Sequence, residues 1–149
     1  MEDSSKISSL LPKAIEWAEA QSAWILENGR VLTNEERDLA IKAGVVYPER
    51  VRISEVASLP FPEDEELRQA ALSLGLLGPS MVGLTLGYGI YIVEGKEFRF
   101  VPHELRHVHQ YENAGSSLSS FLTRYLQELM KYGYADAPLE IDARQYEPV

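Results

Sequence analysis

Among its 149 residues the chain has no cysteine, which excludes disulfides and thiolate metal sites together. A reducing compartment suits that composition. Positive charge is scarce: 14 Lys and Arg face 23 Asp and Glu, for a formal charge of −9. Nucleic-acid binders need clustered cations for their phosphate contacts. No basic stripe occurs here, so no nucleic-acid partner is expected. Long apolar runs are missing too, and no stretch approaches the roughly 18 apolar residues of a spanning helix. The opening "MEDSSKISSLLPKAIEWAEA" is acidic where a secretory signal would be basic. A cytoplasmic protein with no membrane partner is the expectation.

What is present is ordinary for a globular protein: 45% hydrophobic and 25% charged residues. No repeat, low-complexity tract or long linker divides the chain. The expectation is a single domain over residues 1–149, with a helical part over 1–80 whose role is open and a core over 81–149.

Apolar residues recur at helical spacing from about Ser8 to Asn28, with Asn28-Gly29 as the stop. Thr33 and Glu36 form the S/T-x-x-E pattern of a capping box, predicting a helix through Ala43. "ERVRISEVASL" alternates as a short strand or an extended connector, and "PFPEDEELRQAALSLGLL" restarts a helix after two prolines. "MVGLTLGYGIYIVEGKEFRF" reads as strand, with a hairpin turn at Glu94-Gly95-Lys96. Pro102 suits the first residue of a helix. "SSLSSFLTRYLQELMKYG" and "APLEIDARQYE" close the chain as two further helices. The fold class this predicts is α+β, mostly helical, with a small antiparallel sheet before the histidine-bearing helix.

All three histidines fall in one seven-residue window of "VPHELRHVHQ": His103, His107 and His109. On a helix His103 and His107 stand one turn apart on one side, and Gln110 joins them. Val101, Leu105 and Val108 form the opposite, packing side. His103-Glu104-Leu105-Arg106-His107 is therefore H-E-x-x-H. Two imidazoles at i and i+4 can both direct a ring nitrogen at one Zn²⁺, and the carboxylate between them can serve a water there as general base. His109 lies about 160° around the helix from His107 and cannot join them; a packed, hydrogen-bonded role is expected. A catalytic zinc site needs a third protein ligand. Gln110 and Asn113 stand where a metzincin would carry glycine and a third histidine, so that ligand must be an oxygen. Glu140 and Asp142 on the last helix are the candidates, and spacing alone does not choose between them.

Four segments in order, "GLTLGYGIYI", "HELRHVHQ", "FLTRYLQELMKYGY" and "PLEIDAR", resemble a family of small bacterial zincin-like proteins of gluzincin type. The resemblance covers about 60 of the 149 residues. It implies a minimal zincin-like fold and one Zn²⁺ per chain, held by His103, His107 and Glu140, with Asp142 as the alternative. Asp142 stands where the family's second acid is usually Glu. Arg144 occupies the position at which thermolysin-type gluzincins carry an acid. In zincins an edge strand holds the extended substrate, and "GYGIYIVEG" implies Gly89, Ile90 and Tyr91 for that part. Tyr134 is a candidate donor to a developing oxyanion, with Tyr132 and Tyr125 as rivals. The function implied is a zinc-dependent metallopeptidase acting on a peptide or protein, with Glu104 as the general base. The alternative is a non-catalytic zincin-like binding or regulatory module. No feature sets an oligomeric state.

Overall fold

Local punctuation accounts for most element ends. The computed structural model describes residues 4–148. The first helical stretch is two helices, α1 (Ser4–Ser9) and α2 (Leu11–Asn28), separated at Leu10. Pro12, second in α2, has no N–H to carry an unbroken helix across the junction. Helix α3 (Asn34–Lys42) begins on the expected capping box: Glu36 N donates to Thr33 Oγ1 and Thr33 N donates to Glu36 Oε1. A 3₁₀ turn at Pro48–Arg50 leads into strand β1 (Arg52–Val56), and helix α4 (Glu65–Ser73) starts on the Asp64 cap. Strands β2 (Gly83–Leu86) and β3 (Gly89–Val93) follow, then helices α5 (Glu97–Asn113), α6 (Leu118–Tyr132) and α7 (Pro138–Arg144).

Two boundaries differ from expectation. The hairpin turn is Gly87-Tyr88, not Glu94–Lys96. Leu86 pairs with Gly89 across a two-residue loop, and Gly87 takes φ +71, a conformation glycine adopts without Cβ strain. Glu94-Gly95 instead turns the chain into α5, which begins at Glu97 and runs through Pro102 rather than starting there. The carbonyl that Pro102 leaves without a helical donor belongs to Phe98, a residue 82% exposed, where water can serve it.

The α+β class is as expected, but the sheet is mixed, in the order β1-β3-β2. β2 pairs antiparallel with β3, while β1, from the N-terminal half, pairs parallel with it. β3 is thus central, and residues 89–92 are buried. Ile90 and Ile92 face α5, packing with Val101, Leu105 and Val108. Gly89 and Tyr91 face α2, against Ile25 and Ala18. α6 closes a third cluster around Phe121, Leu129 and Leu139. The 1–80 part supplies β1, within "ERVRISEVASL", and one of the layers. Among the described residues no helix is long and apolar enough to cross a membrane.

Candidate metal centre

Helix α5 sets its packing side on the sheet, so its other side is left for His103, Glu104 and His107. All three are buried, at 5–6% exposure, and Glu140 at 2% meets them from the first turn of α7. Glu140 Oε1 lies 3.1 Å from His103 Nε2, and Glu140 Oε2 lies 3.1 Å from His107 Nε2. The ligand atoms of these three residues fall within 4.8 Å of one another. Donors each about 2.0–2.1 Å from a tetrahedral Zn²⁺ stand about 3.3 Å apart. The two contacts run to different oxygens of Glu140 and are hydrogen bonds in the metal-free protein; small shifts would bring one oxygen to both rings, and an N₂O donor set suits zinc.

Each imidazole is also held from behind. His103 donates from Nδ1 to Glu147 Oε2 at 2.8 Å, and His107 donates from Nδ1 to Gln110 Oε1 at 2.7 Å. Gln110 in turn donates to the Leu139 carbonyl at 3.0 Å and to Asp142 Oδ2 at 2.9 Å. Such outer hydrogen bonds fix the tautomer whose Nε2 is free to ligate. Tyr125 donates to Glu140 Oε2 at 2.5 Å. No buried side-chain nitrogen or oxygen among the described residues lacks a partner.

Electrostatics follow from this packing. Burial opposes charge on His107, but the hydrogen bond and negative charge of Glu140, with Glu104 adding, push its pKa up to about 9. For His103 burial is likewise outweighed, chiefly by the Glu140 hydrogen bond and the Glu104 charge, and its pKa is raised. Burial also opposes ionisation of Glu140, yet the two histidines and Tyr125 hold it well below the usual carboxylate range. Glu104 goes the other way: burial raises its pKa against His103, His107 and Thr85.

Glu104 has its own setting. Thr85 on β2 donates to Glu104 Oε1 at 2.7 Å, while Glu104 Oε2 lies 3.9 Å from His103 Nε2. A Cβ on Gly83 would stand 2.6 Å from that Oε2, so β2 carries glycine where the carboxylate needs room. The two acids that spacing left open part company here. Asp142 points away from the histidine Nε2 atoms and pairs with Arg106, Nε to Oδ2 at 2.8 Å. Arg106, whose charge lies inside the motif, also donates to the Ala43 carbonyl and lies over the Tyr146 ring.

The remaining candidates separate cleanly. His109 donates from Nδ1 to the Gly44 carbonyl at 2.9 Å and takes no part in the cluster. Tyr134 lines the cavity that the cluster faces; burial, then Glu140 and Glu104, raises its phenol pKa, which keeps it a donor. Tyr132 is exposed and does not line that cavity. Gly89, Ile90 and Tyr91 are overturned as a substrate-binding edge, because β3 has a strand bonded on each side. The edge beside Glu104 is β2. Val93 N donates to Val82 O, so the register gives Leu84 and Leu86 the bonds to β3 and turns the backbone groups of Gly83 and Thr85 outwards.

Glu147, Thr85 and Gly83 were not legible as site residues. Gln110 was marked by its helical offset alone. Comparison with protein-family models, with curated proteins and with solved structures finds no match.

Proposed function

We propose that the chain is a zinc-dependent hydrolase of peptide bonds. The observation that carries this reading is the buried convergence of His103 Nε2, His107 Nε2 and Glu140, with Glu104 beside them against Gly83. Those three residues would hold one Zn²⁺ per chain, which when bound supplies Lewis-acid chemistry, acidifying a water and polarising a carbonyl. Glu104 takes the proton of the attacking water and returns it to the leaving amine. Its raised pKa suits that exchange, since a proton carrier works best near the operating pH. Thr85 orients its Oε1 and Gly83 leaves room for its Oε2. The outward backbone of Gly83 and Thr85 is available to a substrate amide by strand addition. Tyr134 is the donor for charge developing on the carbonyl oxygen. The compartment we infer is the cytoplasm.

Metal content decides first. Purified protein should carry about one zinc per chain, lost in His103→Ala and in Glu140→Ala. Glu104→Gln should keep the zinc and abolish peptide hydrolysis. Protein that takes up no zinc at neutral pH sinks the reading.

One observation favours a second reading, a non-catalytic module with a structural metal. All four cluster residues are buried, which suits a metal shielded from substrate. Unfolding on chelation, with no hydrolysis by the loaded protein, would select it.

A further inference from the structure

The N-terminal half of the chain contributes nothing to the histidine–glutamate cluster, yet it builds a wall of the cavity that the cluster faces. Leu10, Ala14, Trp17, Ala71 and Leu74, from α1, α2 and α4 and their ends, line it opposite β2 and α5. Among the described residues, the polar side chains that line the cavity are the cluster and its neighbours, His103, His107, Glu104, Glu140, Thr85 and the phenols of Tyr125 and Tyr134, together with the Trp17 indole. The rest of the lining is aliphatic or aromatic. Among the described residues, no Lys or Arg lines the cavity to meet an anion, and no acid away from the cluster lines it to meet a cation. The cavity volume is about 110 Å³. An apolar cavity of about 150 Å³ stays dry and binds benzene, so this one matches a leucine-sized group.

We propose that this cavity is the specificity pocket of the site, and that it takes the leucine-sized aliphatic group of a small peptide-like amide whose carbonyl lies at His103, His107 and Glu140. What happens to the carbonyl rests on the hydrolase reading above; which side chain enters rests on the cavity alone. The volume sets an upper limit as well as a preference. An aliphatic group gains the burial, glycine leaves the cavity empty, and an indole is too large for it.

The test titrates the full-length protein with N-acetyl-L-leucinamide, N-acetylglycinamide and N-acetyl-L-tryptophanamide, with and without zinc. Methyl resonances of the cavity leucines report binding. The leucine amide should bind roughly tenfold or more tightly than the glycine amide, in line with burying one aliphatic side chain, and more tightly than the tryptophan amide. Ala71→Phe, on the α4 wall, should erase the preference and leave zinc content unchanged. Ala14→Leu is the second filling variant should the first not fold. Equal binding of the leucine and glycine amides, or a preference that survives both fillings, overturns the pocket. Leucine preference in protein that takes up no zinc supports the pocket while the hydrolase reading falls. Zinc-dependent hydrolysis with no side-chain preference does the reverse.

Discussion

At the scale of single residues, the centre depends on groups that never reach the metal position. Gln110 accepts from His107 and donates to Leu139 and Asp142, so Gln110→Ala strips three partners in one change. The expected cost is about 1–3 kcal/mol of stability, the price of an unsatisfied buried polar group, read by denaturant unfolding. Zinc affinity should fall roughly 10–100-fold, as for other orienting partners of a ligand histidine. The titration of His107 gives a second prediction. Its pKa rises from an ordinary 6.5 to about 9 in the folded, metal-free chain, so its stabilisation is complete below pH 6.5 and is lost as pH climbs through 9. Glu140, depressed from 4.5, acts oppositely and contributes above that pH. Metal-free protein should therefore lose Tm between pH 6.5 and 9, while zinc affinity rises over the same window as the competing proton leaves. Thermal melts with and without zinc check both slopes. His103, Glu104 and His107 were legible because helical geometry is local. Glu147, 44 residues beyond His103, meets it only through tertiary packing.

Elements show a different limit. Thr33's capping box and the Asp64 cap set helix starts that depend on three or four neighbouring residues. The hairpin was harder, because Gly87 and Gly95 both take positive φ and both sit in turns. Only pairing with β1 and β2 distinguishes the strand turn from the lead into α5. "EFRF" has strand-like composition, yet it forms the first turn of α5 because Phe100 packs on the main core. Strand β2 carries its own prediction. Gly83→Ala brings a methyl to 2.6 Å from Glu104 Oε2, 2.9 Å from its Cδ and 3.1 Å from its Cγ, so the whole buried side chain must shift. Zinc content should hold and stability fall by about 1–3 kcal/mol from overpacking, while hydrolysis falls by roughly 100-fold, the scale of a 1 Å misplacement. Equal kcat/KM for variant and parent would show that the Gly83 contact does not set the position of Glu104.

For the molecule as a whole, the part over residues 1–80 and the core over 81–149 share one sheet. β1 supplies one neighbour of β3, and α2 covers the face that carries Gly89 and Tyr91. A fragment of residues 81–149 would expose that face and leave β3 unpaired on one side. It should show no cooperative melt by circular dichroism, whether or not zinc is added; a cooperative transition would show the two parts to be separable. That α2 would form a layer was not legible, because its apolar stripe fits a helix, a sheet or a partner equally well. The position of the strand in the layered stack has one more consequence. Strand β3 has a neighbour on each edge and a helix on each face, so its amide hydrogens have no local opening through which to reach solvent. Ile90 and Ile92 should exchange with deuterium only when the entire chain unfolds, and their rates become an internal gauge of global stability. Zinc binding should slow them by the same factor by which it shifts the folding equilibrium.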